Sequence, residues 1–459
     1  MATGDCTLRW MRRMGAALML AGTAVGATAQ ATGCAGMDAL RVPGAQMQVA
    51  ACLADLSTRY LVATGHTDAS DWLPLHSVAT RNPPDAVPGV QLDGYFPDTS
   101  TANTYRGWNH DAQFVIRLPE QWNGKLVITG APGVRRQYAN DYLISDWVLS
   151  RGYAYASTDK GNSGTSFYSD GAAPGDAIAE WHLRVTELTQ AAREVVAQRY
   201  GRAPERTYIT GISNGGYLTR WALENSPELY DGGVDWEGAL WRAEGPNLFT
   251  YLPTALRDYP RWRSGLDPLA RQRMLDAGFA PGSEFLWDHH YLVYWDLTQR
   301  TYREEIDPGY DGSLAAGLPF CLSGLPACDA DYVYAQRPQA VKDAVARISL
   351  TGRIGKPLIT LHGDLDALLP IRTNSDAYVQ RVRGSGRGHL HRYYVVEGGN
   401  HVDQLYDVFP DRLRPIAPCW RAAFAALETW VETRGQHRPP DSRTLPRTGS
   451  DLANRCPLE

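Results

Sequence analysis

The sequence has no basic run and no basic stripe, and its 459 residues carry a formal net charge of only −5. That argues against a nucleic-acid partner, which needs clustered Lys and Arg to displace counterions from phosphates. Beyond residue 30 there is no apolar stretch long enough to cross a bilayer. The chain also lacks C-x-x-C pairs and Cys/His ligand spacing, so no zinc site is expected. Asp307, Asp311, Asp329 and Asp331 fall close together but without the regular alternation of a calcium loop. No metal and no cofactor is therefore expected.

What is present describes an ordinary globular protein with a sizeable core: 44% hydrophobic and 21% charged residues. Arg9, Arg12 and Arg13 precede an apolar, small-residue run at 14–25, and Ala27-Thr28-Ala29 follows. This is the pattern of a signal peptide over 1–29, with a mature chain beginning near Gln30 in the periplasm or outside the cell. Cys6 leaves with it. Cys34, Cys52, Cys321, Cys328, Cys419 and Cys456 remain. An even number in an exported chain points to disulfides, and nearest-neighbour pairing is expected because each pair would staple a loop-rich segment.

Residues 30–110 show little pattern and read as an N-terminal extension, with a short helix within 47–60. Buried strands are expected at 112–118, 125–129, 153–157, 207–210, 232–240, 356–361 and 390–396. Between them helices are expected at 138–150, 177–200, 217–225 and 373–382, with a last one at 417–432. Alternating strands and helices imply a mostly parallel sheet covered on both faces, the α/β class. The alternation breaks over 245–350, where aromatics crowd, so that stretch reads as a lid inserted into a core formed by 111–244 and 351–435. Residues 436–459 read as a polar, proline-rich tail held by Cys456.

The chemistry centres on Gly211-Ile212-Ser213-Asn214-Gly215-Gly216, between a strand and a helix. A serine at the apex of a glycine-lined strand-turn-helix is a nucleophile elbow. Such a serine needs a base and an acid, following in the order Ser, acid, His, each after a later strand. The strand at 356–361 runs into His362-Gly363-Asp364-Leu365-Asp366. Asp366 is the expected acid and Asp364 the near alternative. The strand at 390–396 runs into Glu397-Gly398-Gly399-Asn400-His401, whose glycines let His401 fold back over the sheet edge. Ser213, Asp366 and His401 in that order predict nucleophile, orienting acid and general base.

An oxyanion would need two N–H donors. Asn214 supplies one, and Ala131 or Gly133 in Gly130-Ala131-Pro132-Gly133 the other, since Pro132 has no N–H. Asp159 and Lys160 end the next strand on the same rim and are candidate substrate contacts, with Trp236 and Trp287 as aromatic ones. His182, His289 and His290 read as structural or lid residues.

Residues 181–238 are similar to the tannase and feruloyl esterase superfamily of α/β-hydrolases. The matching residues are Tyr200-Gly201, Pro204, Arg206, Tyr208, Gly211, Ser213, Gly215, Gly216 and Pro227-Glu228-Leu229-Tyr230-Asp231-Gly232. Asp159-Lys160-Gly161 and the Ser-Asn-Gly-Gly elbow also resemble 3-hydroxybutyrate oligomer hydrolases. The cysteine pair of tannase-type enzymes, one before the serine and one after the histidine, is missing: Ile212 and Val402 stand there. The resemblance implies an α/β-hydrolase fold and a carboxylic ester hydrolase whose lid carries specificity, without fixing the acid or the alcohol; the aromatic-rich lid suits an aromatic or hydroxyacid ester or a polyester-derived oligomer. A serine peptidase remains open, because the same triad and lidded fold cleave amides, as does a non-catalytic binding protein of this fold.

Overall fold

The computed structural model describes residues 32–60, 65–310 and 329–458. The segment 1–29, Asp311 and the expected Cys321–Cys328 pair lie outside them. The central strands are buried at successive positions, not alternate ones, so both faces must be covered. In β4 (Lys125–Gly130) Leu126 and Ile128 enter one apolar cluster and Val127 enters another. The helices Asp176–Tyr200 and Asn214–Asn225 cover the first face, and Ala417–Glu432 covers the second.

The other strands are β1 (Met47–Leu53), β2 (Gly89–Tyr95), β3 (Gln113–Pro119), β5 (Ala154–Thr158) and β6 (Arg206–Ile212), then β7 (Gly232–Trp236), β8 (Leu358–Gly363), β9 (His391–Val396) and β10 (Arg443–Leu445). They form one sheet in the order β1-β2-β3-β5-β4-β6-β7-β8-β9-β10. The first four in that order pair antiparallel, and every pairing from β5 to β10 is parallel. The carboxyl ends of β4, β6, β8 and β9 thus share one rim, where ligands bind in sheets of this kind.

Two expectations fail at the sheet edges. The stretch read as a short helix begins with β1, which pairs with β2 along its whole length and is stapled by Cys34–Cys52. Edge pairing with a partner far along the chain overrides a weak local pattern. The tail is not held by its cysteine alone: Leu445 is buried, and the tail's strand β10 extends the sheet beside β9. Cys419–Cys456 does form, as nearest-neighbour pairing expects. It closes a separation of 37 residues, so chain entropy assigns it about 4 kcal/mol. Cys456→Ser with Cys419→Ser should lower unfolding free energy by that order in urea melts.

Between β7 and β8 the lid helices are Leu252–Arg263, Ala270–Ala277, Glu284–His290, Asp296–Ile306 and Gln339–Arg347. Their aromatics mostly pack on one another: Trp287 lies 5.1 Å from Trp262 and 6.0 Å from Phe279. Of the acidic residues weighed for calcium, Asp307 is taken by Arg337 and Tyr332, and Asp329 by Arg303.

Candidate active site

Ser213 sits between β6 and the helix Asn214–Asn225 with φ 59° and ψ −114°, a conformation non-glycine residues rarely adopt. The surrounding glycines make it possible. A Cβ on Gly215 would lie 2.5 Å from the Gly130 carbonyl oxygen, and one on Gly211 2.7 Å from Gly215 Cα. Without side chains there, the elbow helix closes onto the end of β4. Ser213 therefore stands beside the loop that follows Gly130.

Asp366 and His401 come from the turns after β8 and β9. His401 Nδ1 lies 2.8 Å from Asp366 Oδ2. Asp366 Oδ1 accepts N–H bonds from Leu368 and Leu369, at 2.7 and 2.9 Å, which fixes the carboxylate's orientation. Burial works to raise this carboxyl, but His401 and then His362 outweigh it and hold it well below the usual carboxylate range. Asp364 instead accepts the Gly398 N–H at 2.7 Å, so it braces the histidine loop. Ser213 and His401 line one cavity of about 490 Å³, a size that suits a small organic ligand.

A second carboxyl stands behind this pair. Glu237 follows β7 with φ 52° and is fully buried. Its Oε1 accepts the Gly363 N–H at 2.6 Å, and its Oε2 lies 3.6 Å from His401 Nδ1. Burial, and then the charge of Asp366, push it well above the ordinary glutamate range. Glu237, His362 and Asp366 could supply ligands to a cation, as could Asp98, Asp170 and Glu180 away from the cavity. In the first group Asp366 is already oriented toward His401. Nothing around Glu237 in the sequence distinguishes it from a turn residue.

The oxyanion candidates narrow. Ala131 donates its N–H to the Thr158 carbonyl at 3.0 Å, continuing the β4–β5 ladder, so it is not free to bind an anion. Gly133, with φ 50°, lines the cavity, and so does Asn214 at the N-terminus of the elbow helix. The Asn214 amide ties the parts together, donating to the Gly133 carbonyl at 3.1 Å and to the Tyr302 hydroxyl of the lid at 2.5 Å.

The four expected substrate contacts are not on the cavity wall. Asp159 and Lys160 are completely buried. Asp159 accepts from Asn103 Nδ2 at 2.8 Å, Gln113 N at 3.0 Å and Gly161 N at 2.9 Å, so it pins loops together. Lys160 lies under the ring of Trp181, and burial pulls its pKa down to about 8. Trp236 is core on β7. Trp287 is lid core, its Nε1 donating to Ser283 Oγ at 2.9 Å. The aromatic rings on the wall belong instead to Tyr294, Tyr302 and His290, with Arg135 and Arg136 also present.

His290 was marked by no spacing pattern. Its ring is buried, which lowers its pKa to about 3 and keeps it neutral. The folded state then binds fewer protons than the unfolded state between about pH 3 and 6.5. This histidine's contribution is complete above pH 6.5 and is lost as pH falls toward 3. The stability difference between His290→Phe and wild type should move in the variant's favour by about 1.4 kcal/mol per pH unit below 6.5. Paired denaturant melts at pH 7, 6 and 5 check this.

With this geometry in place the similarities to known proteins can be placed. The family model described as tannase and feruloyl esterase matches residues 100–236, and the model for 3HB-oligomer hydrolase matches 310–457. Among solved structures, an esterase from Aspergillus oryzae superposes with a TM-score of 0.50 at 15% identity, covering 89% of this chain and 90% of that one. The fold is that of an α/β-hydrolase. Within it the chain resembles tannases and feruloyl esterases. A mono(2-hydroxyethyl) terephthalate hydrolase of Piscinibacter sakaiensis is 27% identical over 143 residues, 28% of this chain and 23% of that protein. A D-(−)-3-hydroxybutyrate oligomer hydrolase of Cupriavidus pinatubonensis is 29% identical over 125 residues, 26% of this chain and 18% of that protein. The chain thus spans under a quarter of the length of either curated relative.

Proposed function

We propose that the chain is an exported serine carboxylic ester hydrolase. His401 takes the Ser213 proton, Ser213 Oγ attacks the ester carbonyl, and Asp366 holds the imidazole with Nδ1 protonated and stabilises the imidazolium. The N–H groups of Asn214 and Gly133 receive the oxyanion. The acyl-enzyme is released by water activated on the same histidine. The observation that carries this reading is the 2.8 Å Asp366–His401 bond at the wall of the cavity that Ser213 also lines.

Ester chemistry is further supported by what the relatives' names state, since both are ester hydrolases. An aromatic or hydroxyacid ester, or an oligomer derived from a polyester, fits a cavity with Tyr294, Tyr302 and several leucines on its wall. The two disulfides among the described residues suit an oxidising compartment. No helix among the described residues is long and apolar enough to cross a membrane. The test is a panel of p-nitrophenyl esters against peptide anilides with purified protein. Esters should turn over and anilides should lag; faster anilide turnover would contradict the reading.

A further inference from the structure

Four donors surround the carboxylate of Asp366. The N–H groups of Leu368 and Leu369 take Oδ1, and His401 Nδ1 takes Oδ2 at 2.8 Å. The fourth is His362, in the last turn of β8, whose Nε2 lies 3.3 Å from the same Oδ2. An ionised carboxylate offers about four lone-pair sites, so this one is full. His362 is completely buried and does not line the cavity. Whatever it does for the reaction it does through Asp366.

What holds His362 settles which nitrogen carries its proton. Nε2 faces two acceptors, the Leu369 carbonyl at 2.9 Å and Asp366 Oδ2. It must be the protonated nitrogen, which leaves Nδ1 as the acceptor of the neutral ring. Nδ1 lies 2.6 Å from Ser375 Oγ. Ser375 Oγ in turn accepts an N–H from Arg220 at 2.8 Å. A guanidinium can only donate, so the hydroxyl takes that bond on a lone pair and keeps its own proton for Nδ1. Arg220 is itself fixed. Its Nε donates to Asp235 Oδ2 at 2.6 Å, and its guanidinium lies over the Tyr378 ring, 4.4 Å from the centroid. All of these side chains are buried. The bonds thus run one way, from Arg220 through Ser375 and His362 to Asp366. Both ring nitrogens of His362 are used in that chain, and neither keeps a lone pair for a cation.

The second donor on Oδ2 matters because His401 Nδ1 has two carboxyls near it, Asp366 Oδ2 at 2.8 Å and Glu237 Oε2 at 3.6 Å. Leu368 and Leu369 both hold Oδ1, so without His362 the other oxygen could swing about that single anchor. We propose that His362, fixed in its tautomer by Ser375 and Arg220, is a positioning residue that pins Asp366 Oδ2 against His401. This rests on the esterase reading above. The pinned oxygen keeps the imidazole in line with Ser213, an alignment that the transition state needs and substrate binding does not.

The test is steady-state hydrolysis of p-nitrophenyl butyrate by His362→Leu, His362→Gln and Ser375→Ala, with a thermal melt on each. His362→Leu removes the donor and should lower kcat by roughly 10- to 100-fold at unchanged KM, the range for one bond to a charged group. His362→Gln brings an amide N–H near the Nε2 position and should recover most of that loss. Ser375→Ala frees the tautomer and should lower kcat by a smaller factor, again at unchanged KM. The deciding arm repeats His362→Leu in an Asp366→Asn background. There it should cause no further loss, because the bond it removes is already gone. A residue that only packs would lower kcat by the same factor in both backgrounds, and glutamine would not rescue it. Unchanged kcat in folded His362→Leu, an equal loss in His362→Gln, or equal factors in the two backgrounds would overturn the positioning role and leave the esterase reading standing. Should His362→Leu not fold, an unchanged kcat in Ser375→Ala overturns it and a fall at unchanged KM supports it. If wild type does not hydrolyse the ester, or Ser213→Ala hydrolyses it as fast, the esterase reading fails and the positioning role with it.

Discussion

Asp366→Asn is expected to lower kcat by roughly 10⁴-fold while the protein stays folded. The reason lies in how the carboxylate is held. Oδ1 accepts the N–H groups of Leu368 and Leu369, and an asparagine oxygen can keep both bonds. The amide nitrogen must then take the place of Oδ2, 2.8 Å from His401 Nδ1. An N–H there requires His401 to accept at Nδ1, which puts its proton on Nε2, the wrong tautomer for taking a proton from Ser213. His362 Nε2, 3.3 Å from Oδ2, would face the same amide nitrogen. Stopped-flow or steady-state kcat on a good p-nitrophenyl ester reads the loss. A fall under tenfold would place the orienting acid elsewhere, and Glu237 would be the residue to examine next.

The largest stability effect should come from Asp141→Ala. Arg117 on β3 is completely buried and meets Asp141 through two bonds of 2.6 and 2.7 Å. Ser145 Oγ and Gln91 Oε1 take other guanidinium protons, at 2.8 and 2.9 Å. Removing the carboxylate strands a buried cation, at a cost of about 3–5 kcal/mol. Asp141 opens the helical turn just after Asn140, whose amide donates to the Gly130 carbonyl at 3.1 Å. The loss should therefore also loosen the loop that carries Gly133, and kcat should fall with stability. Replacing both partners, Arg117→Met with Asp141→Leu, should cost less than Asp141→Ala alone, since no charge is left unpaired. Chemical denaturation of the three proteins checks the order.

The parallel part of the sheet and the candidate residues Ser213, Asp366 and His401 were legible because their signals are local. Ser213 stands out by glycines that a close approach requires. Asp366 and His401 each follow a short, continuously buried strand within a few residues. Strand β1 was not legible because most of it is only half covered, so no alternation marks it, and its partner β2 lies far along the chain. Asp159 and Lys160 read as a charged rim, yet Asn103 and Gln113 arrive from distant sequence to bury Asp159. Trp236 and Trp287 misled for a different reason. Aromatic abundance does not separate a ring packed in a core from a ring facing a cavity. His290 and Glu237 acquire meaning only from what surrounds them, because a ring buried at a cavity wall or a carboxyl buried behind another has no sequence pattern. The cysteines behaved better: both disulfides within the described residues join nearest neighbours.

The central claim is that Ser213 is a nucleophile activated by His401. Treating the folded protein with a fluorophosphonate and mapping the adduct by mass spectrometry tests it most directly. A single adduct on the peptide containing Ser213, absent in Ser213→Ala and strongly slowed in His401→Ala, is the predicted result. No adduct on folded protein, or equal labelling of Ser213→Ala, would contradict it.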